Sequence, residues 1–403
     1  MKFLRAIYHY LWAVAGALWY RFPSRSLYLV GITGTKGKTT TTELVNAILE
    51  EAGYQTALSS TLRFKIGNES KPNLKKMSMP GRGFLQKFLR QAQAAGCTHV
   101  VLEMTSQGVP QFRHKFIDLD ALIFTNLAPE HIDSHGSYEN YRAAKLAIAE
   151  SLAHSSKPRK LLVVNADDKE APKFLAIKGP EKITFSLAKQ LSYTSASQLI
   201  GDFNKYNILA AGTFASAIGI SDEVITRAVQ KFKGVQGRME QVPGAPFQII
   251  VDYAHTPDSL EAVYQAFKPN PLEPSPCHLV CVLGGTGGGR DKWKRPVMGA
   301  LAEKYCDQIF FTDEDPYDEN PETIVNEVVG GLTAQAGVKD KNKYQIIMNR
   351  REAIATALKA ARPNDVVLIT GKGTDPYIMR AGGTKEPWSD YKVAEEELAK
   401  ILK

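Results

Sequence analysis

The chain has 403 residues, 44% hydrophobic and 23% charged, with 50 Lys and Arg against 42 Asp and Glu for a formal charge of +8. That length accommodates two or three domains with cores of their own, and the composition excludes a disordered or fibrous chain. The basic excess comes without an arginine-rich run or a nucleic-acid motif, so nucleic acid is not an expected partner.

The first 23 residues, "MKFLRAIYHYLWAVAGALWYRFP", carry Lys2 and Arg5 ahead of an aromatic-rich apolar stretch. A signal peptide has this look, but an ATP-type loop begins soon afterwards and argues against export. The run is broken by His9 and is shorter than the roughly 20 residues a membrane span requires. Phe3, Ile7, Leu11, Val14 and Leu18 follow helical spacing, which predicts an amphipathic helix. Two readings of it stay open: packing on the protein's own core, or contact with a membrane surface or partner.

From residue 24 strands alternate with helices. "SLYLVGIT" reads as a buried strand, "TTTTELVNAILEEAGY" as a helix closed by Gly53, and "THVVLEMTS" and "LDALIFTNL" as further strands. Ser137 opens the helix "SYENYRAAKLAIAESLA", with Glu139 in its first turn. "KLLVVNADD" is another strand. This rhythm predicts a mostly parallel sheet with ligands at the strands' carboxyl ends. A second α/β block starts near Gly237, with strands in "FQIIVDYAH", "HLVCVLGG", "DQIFFTDED", "YQIIMN" and "DVVLITGKG". The expected organisation is a helix over 1–23, a P-loop ATPase-type domain over 24–236 and a Rossmann-like α/β domain over 237–403. Cys97, Cys277, Cys281 and Cys306 suggest neither a disulfide framework nor a zinc site, which fits a reducing cytoplasm.

The chemistry concentrates in "GITGTKGKTTTT", Gly31–Thr42. A glycine turn between strand and helix aims backbone N–H groups and a helix dipole at an anion. Lys38 can reach terminal phosphates and Thr39 can ligate Mg²⁺. The strict P-loop pattern requires glycine at position 32, where this chain has Ile32; its glycines are Gly31, Gly34 and Gly37. Glu103 ends a strand and suits a Mg²⁺ ligand. Asn126, His131, Asp133, His135 and Lys145 follow within about twenty residues.

With "LEMTSQG", "FTNLAPEHIDSHGSYENYRAAK", "VVNADD", "GDFNKYNILAA", "GVQGRME", "VDYAHTPDSL", "GRDKWKRPVMG", "GKGTDP" and "WSDYKVAEEEL", the chain resembles the Mur ligases from about Leu27 onward. The UDP-N-acetylmuramoyl-tripeptide synthetase (MurE) type is the most similar. The resemblance implies an ATP-dependent, ADP-forming amide ligase. A substrate carboxylate is phosphorylated to an acyl phosphate, and an amino acid's amine then displaces the phosphate. It implies nucleotide contacts from Gly34, Thr35, Lys36, Gly37, Lys38, Thr39 and Thr40, from Asn204 and Asn207, and from Arg238, Asp252 and His255 in the second domain. Thr39, Glu103, His131 and a carbamylated Lys145 would hold two Mg²⁺ ions. Asn126 and His131 would border the acyl phosphate, and closure between domains would gate turnover. Ser78, Pro80, Thr105, Ser106, Arg290, Gly371 and Lys372 fall at substrate-binding motifs.

Three departures accompany the resemblance. The family's uridine-gripping N-terminal domain has only the hydrophobic helix in its place, which points to a carboxylate in another carrier form, such as a lipid-linked one. Ser78-Met79-Pro80 stands where Thr-Thr-Pro is usual. Glu314-Asp315-Pro316-Tyr317 replaces the Asp-Asn-Pro-Arg that holds diaminopimelate, and the acidic group of Asp313, Glu314, Asp315 and Asp318 points to a basic acceptor amino acid. Alternatives are a Mur-like ligase acting on a folate-like or polyamide carboxylate, and a non-catalytic ATP-binding scaffold. A monomer in the cytoplasm, with peripheral membrane contact through residues 1–23, is expected.

Overall fold

β1 (Tyr28–Thr33) is apolar on both faces and buried from Leu29 to Thr33, as a strand covered on both sides must be. Val30 and Ile32 enter one core cluster and Leu29 the other. The computed structural model describes residues 2–75, 77–81, 83–129, 135–189, 191–267, 277–289, 291–332 and 343–402. It divides into two units, Met1–Lys233 and Gly234–Lys403.

In the first unit α1 (Lys2–Trp19) precedes β1, followed by α2 (Lys38–Glu51), β2 (Thr56–Ser59), β3 (Arg63–Ile66), β4 (Glu69–Pro72), α3 (Phe84–Ala94), β5 (His99–Glu103) and β6 (Ala121–Phe124). Then come α4 (Tyr138–Ala153), β7 (Leu161–Asn165), α5 (Ala171–Leu175), β8 (Glu181–Phe185), α6 (Asp202–Ala217) and α7 (Asp222–Lys231). The sheet runs β4-β3-β2-β5-β1-β6-β7-β8. It is parallel from β2 to β8, while β3 and β4 are antiparallel at one edge. α3, α4 and α5 cover one face and α2, α6 and α7 the other. β1 lies between β5 and β6, with Ile32 opposite Glu103 and Thr33 opposite Phe124. That register sets the loop after β1 beside Glu103 on one side and Thr125-Asn126 on the other, where a doubly wound sheet places its ligand.

The second unit has β9 (Glu240–Val242), β10 (Gln248–Asp252), α8 (Pro257–Ala266), β11 (Leu279–Leu283), α9 (Lys294–Tyr305), β12 (Gln308–Phe311), α10 (Pro321–Val329) and β13 (Tyr344–Ile346). It ends with α11 (Arg350–Ala360), β14 (Val366–Thr370), a β15–β16 hairpin (Tyr377–Met379, Lys385–Pro387) and α12 (Asp390–Ile401). Its sheet, β13-β12-β11-β14-β10-β9, is parallel except for β9. α8, α9 and α10 cover one face; α11 and α12 cover the other.

α11 and α12 are joined by a buried ion pair. Arg350 donates from Nε to Asp390 Oδ1 at 2.8 Å and from Nη2 to Oδ2 at 2.7 Å, and Nη2 also reaches the Thr370 carbonyl at 2.8 Å. Trp388 Nε1 completes the carboxylate's shell at 2.8 Å. Asp390→Ala would strand a buried guanidinium and is expected to cost about 3–5 kcal/mol. Urea unfolding measures this, and a loss under about 1 kcal/mol, the scale of a surface pair, would contradict it.

One expectation is corrected and one open reading is narrowed. Cys281 on β11 and Cys306, the residue closing α9, form a disulfide across 6.1 Å between Cα atoms. α9 packs on the face of the sheet that carries Cys281, a proximity that the spacing of four cysteines did not reveal. Cysteine count therefore does not place this chain in a reducing compartment. The second concerns α1. It does form a helix, but its large apolar side chains are not packed on the protein's core: Leu11 is 59% exposed, Leu18 60% and Trp19 81%. Gly16, Ala17 and Tyr10 face the protein instead, and Gly16 lies so close to Gly83 that a Cβ would meet its Cα at 3.0 Å.

Candidate active site

The loop between β1 and α2 is held from three sides. Thr35 N–H donates to the Asn126 carbonyl at 2.9 Å. Lys36 N–H donates to Asn126 Oδ1 at 2.8 Å, and Asn126 Nδ2 returns a bond to the Lys36 carbonyl at 3.1 Å. Thr125 Oγ1 donates to the same carbonyl at 2.7 Å, and Thr35 Oγ1 shares a 2.9 Å hydrogen bond with the Tyr141 hydroxyl. Two glycines are mandatory here. Gly34 has φ +154° and a Cβ would sit 1.9 Å from Thr125 Oγ1; Gly37 has φ +78° and a Cβ would sit 2.2 Å from Asn207 Oδ1. Gly31, read above with the loop, belongs to β1, where a Cβ would strike Met104 Sδ at 2.7 Å.

Gly37 caps α2, so Lys38, Thr39 and Thr40 form its first turn, whose backbone N–H groups have no intrahelical acceptor. Lys38 Nζ donates to the Thr35 carbonyl at 2.7 Å, which folds its ammonium over the loop. Thr39 Oγ1 donates to Glu103 Oε2 at 3.1 Å. Glu103, 2% exposed, gathers three more donors: Thr61 N–H at 2.9 Å, Thr61 Oγ1 at 2.8 Å and Ser78 Oγ at 3.0 Å. Two hard oxygens at the mouth of a phosphate loop, backed by further hydroxyls, fit Mg²⁺ completed by phosphate and water oxygens. Among the described residues no group of three His, Cys, Asp or Glu side chains could hold a metal by itself.

On the other side of the loop Lys145, 1% exposed on α4, donates to the Gly34 carbonyl. Its Nζ lies 5.3 Å from the Tyr141 ring centre. His135 Nε2 shares a 3.1 Å hydrogen bond with Ser106 Oγ. Burial, and then the Lys145 charge, lower the pKa of this imidazole. His131 and Asp133 lie outside the described residues, as does Arg290. Asn204 and Asn207 are buried on α6, with Asn207 Nδ2 bonded to Asn204 Oδ1 at 3.1 Å and Thr41 Oγ1 bonded to Asn207 Oδ1 at 3.2 Å. Ser78 thus reaches Glu103 directly, while Thr105 N–H rests on Met79 Sδ at 3.2 Å and Pro80 is buried beside it.

Sequence reasoning missed Thr61, Tyr141 and Asp168. Thr61 carries no motif and reaches Glu103 only because β2 pairs with β5, Ser59 opposite Leu102. Tyr141 sits one helical turn before Lys145, the spacing that puts both on one face. Asp168 was read as part of "VVNADD" without a role. Its Oδ2 accepts Leu127 N–H at 2.8 Å, fixing the strand end that carries Asn126.

In the second unit the predicted residues collect at the sheet's carboxyl edge. Asp252 ends β10 and accepts Met239 N–H at 2.8 Å and Ala254 N–H at 2.7 Å. Arg238 lies over the Tyr253 ring at 4.4 Å, and His255 Nδ1 is 2.8 Å from the Tyr253 carbonyl. Gly371 is packed so tightly that a Cβ would lie 2.3 Å from Glu314 Oε2. Tyr317 adopts φ +53° and donates its N–H to the Met379 carbonyl at 3.1 Å.

The acidic group has internal partners. Asp313 pairs with Arg380, Asp315 pairs with Lys372 at 3.0 Å, and Asp318 accepts Gly382 N–H at 2.8 Å. Burial opposes the Lys372 charge, but Asp375 and Asp315 outweigh it and hold its pKa above the usual value. Burial raises the Glu314 carboxyl, which accepts Thr286 Oγ1 at 2.9 Å. The expectation that this group attracts a basic amino acid loses support at Asp313, Asp315 and Asp318, which cations and donors of the same unit engage, while the buried Glu314 Oε2 has no hydrogen-bond partner among the described residues.

A glycine turn locked between three strand ends, with a hydroxyl–carboxylate pair at its helix, defines a nucleotide-phosphate-binding α/β unit; the second unit is doubly wound. Residues 32–197 match the Mur ligase middle domain and residues 237–373 the Mur ligase, glutamate ligase domain. The UDP-N-acetylmuramyl-tripeptide synthetase of Roseiflexus sp. (strain RS-1) is 36% identical over 423 aligned positions, covering 96% of this chain and 82% of that protein. A solved UDP-N-acetylmuramoyl-L-alanyl-D-glutamate–2,6-diaminopimelate ligase superposes with a TM-score of 0.62 at 27% identity, covering 94% of this chain and 79% of that one. Folylpolyglutamate synthase of Mycobacterium tuberculosis, complexed with ADP, shares the fold at 16% identity (TM-score 0.66, covering 97% and 94%). The chain belongs to the Mur ligase family. It is an ATP-dependent, ADP-forming amide ligase of the MurE-like type.

Proposed function

We propose that this ligase adds an amino acid to the free carboxylate of a muramoyl dipeptide, UDP-linked as the name of its Roseiflexus relative suggests rather than in the lipid-linked form also expected above. The observation that carries this reading is the convergence of Lys38, Thr39 and Glu103 on one glycine-locked turn, with Lys145 behind it. Lys38 and the α2 N-terminus hold the terminal phosphates of ATP. Thr39 and Glu103 supply oxygens to Mg²⁺, which neutralises phosphate charge when bound. A carboxylate oxygen of the substrate attacks the γ-phosphorus, ADP leaves, and the amine then attacks the acyl carbonyl. Phosphate departs carrying one oxygen of the original carboxylate.

Asn126 orients the loop through both ends of its amide, and His131 is assigned to the acyl-phosphate side. Lys145 is carbamylated in this reading, which turns a buried cation into an anion able to help hold a second Mg²⁺. Asn204, Asn207, Arg238, Asp252 and His255 are assigned to the nucleotide. The protein works as a monomer in the cytoplasm, where ATP is available, the Cys281–Cys306 disulfide being an exception to the usual reduced state of thiols there, and it makes peripheral membrane contact through residues 1–23.

The test is ADP release with the UDP-muramoyl dipeptide and each amino acid, separately and together. The reading predicts release that needs both, and a product heavier by one aminoacyl residue. No stimulation by any UDP-muramoyl compound would defeat the substrate assignment and leave the ligase chemistry standing.

A further inference from the structure

α1 turns the usual arrangement of an amphipathic helix inside out. Leu4, Ile7, Leu11, Trp12, Leu18 and Trp19 recur at helical spacing of three, four and seven and form one face, and every one of them is exposed. The opposite side meets the protein through Gly16 against Gly83, through buried Ala17, and through Tyr10, whose ring lies 5.4 Å from Phe112 and 5.8 Å from Phe116. This helix is not a loose tail. Phe22 N–H donates to the Ala17 carbonyl at 2.9 Å, Arg21 and Phe22 adopt left-handed backbone, and Pro23 and Ser24 are buried in the unit. The apolar face is therefore presented outward by a fixed mount.

Its charge indicates what covers it. No Asp or Glu occurs before Glu43, while Arg5 lies within the helix and Arg21 just beyond it. α3, which packs beside α1, adds Lys87 and Arg90 and no acid. Trp and Tyr along an apolar stripe, with cations near it in the chain and no helix able to cross a bilayer among the described residues, are the features of a helix lying in the plane of a membrane interface. We infer that this face of α1 docks the protein on an anionic phospholipid surface, with Leu11, Leu18 and Trp19 entering the headgroup–acyl boundary and the cations meeting lipid phosphates. The inference rests on the proposed membrane contact and on none of the ligase chemistry.

Flotation of the full chain with vesicles tests it without substrate or turnover, so its outcome is independent of the ligase assay. Wild type is expected to bind vesicles of phosphatidylcholine with about 30% phosphatidylglycerol at least tenfold better than phosphatidylcholine alone, since each surface cation contributes to binding anionic lipid. Its tryptophan emission shifts to the blue on binding. The double variant Leu11→Glu, Trp19→Glu alters only exposed side chains and is expected to keep the wild-type melting temperature while losing at least tenfold in vesicle affinity. Equal binding by the variant, or no binding by wild type, overturns the inference. So does a wild-type dimer in sedimentation that the variant lacks, without vesicle binding, because the face would then be covered by a second copy.

Discussion

Glu103→Gln is expected to lower ATP-dependent ligation by roughly 10²–10³-fold, the scale on which losing one electrostatic stabiliser is felt in an active site. The carboxylate accepts four hydrogen bonds, from Thr39, from both the N–H and hydroxyl of Thr61, and from Ser78. A carboxamide keeps one acceptor oxygen and turns an NH₂ group toward donors. With the amide oxygen in the Oε2 position it still accepts the Thr61 N–H, and the NH₂ in the Oε1 position meets only the Thr61 and Ser78 hydroxyls, which can rotate to accept, so a stability loss of no more than about 1 kcal/mol is expected. The two effects separate by experiment. Steady-state rates at saturating Mg²⁺ and ATP report the chemistry, and thermal melting reports the fold. Wild-type turnover in a folded variant would remove Glu103 from the phosphate site.

Lys145→Ala is expected to abolish measurable turnover, with partial recovery on adding short carboxylates. Lys145 is buried against the Gly34 carbonyl and the Tyr141 ring, so its amine is close to the phosphate loop but does not face solvent. A carbamate there would supply an oxygen anion, and a small carboxylate diffusing into the truncated site restores that oxygen. Rescue distinguishes this from a lysine that merely braces the loop, for which added carboxylate does nothing. Unchanged turnover in the variant would refute any part for Lys145, and activity loss without rescue would refute the carbamate.

Much of the frame was legible because it depends on local pattern. The apolar run of β1 read as a buried strand, those of β6 and β7 as further strands of a mostly parallel sheet, and Gly37-Lys38-Thr39 between strand and helix read as a phosphate turn. Residues brought together only by sheet pairing were not legible. Thr61 lies 42 positions from Glu103 and meets it through the β2–β5 register. The disulfide partners lie 25 positions apart, on a strand and at the end of a helix that crosses over it.

The acidic stretch shows a different limit. Its sign was evident, but Arg380 and Lys372, which engage Asp313 and Asp315, arrive from the segment after β14. Charge counted along a sequence says little about charge left over after folding. In α1 the helical period was plain, yet period alone does not say which face is turned to the protein. Gly16 against Gly83 decides that question, and the decision leaves the large apolar side chains outside.

The central claim is that the phosphate turn transfers phosphate to a carboxylate, and following the oxygens tests it most directly. With the accepting carboxylate labelled with ¹⁸O, the account predicts that one labelled oxygen appears in the inorganic phosphate released with each amide bond formed. Amide formation accompanied by unlabelled phosphate would mean that ATP is spent elsewhere, and would contradict the account.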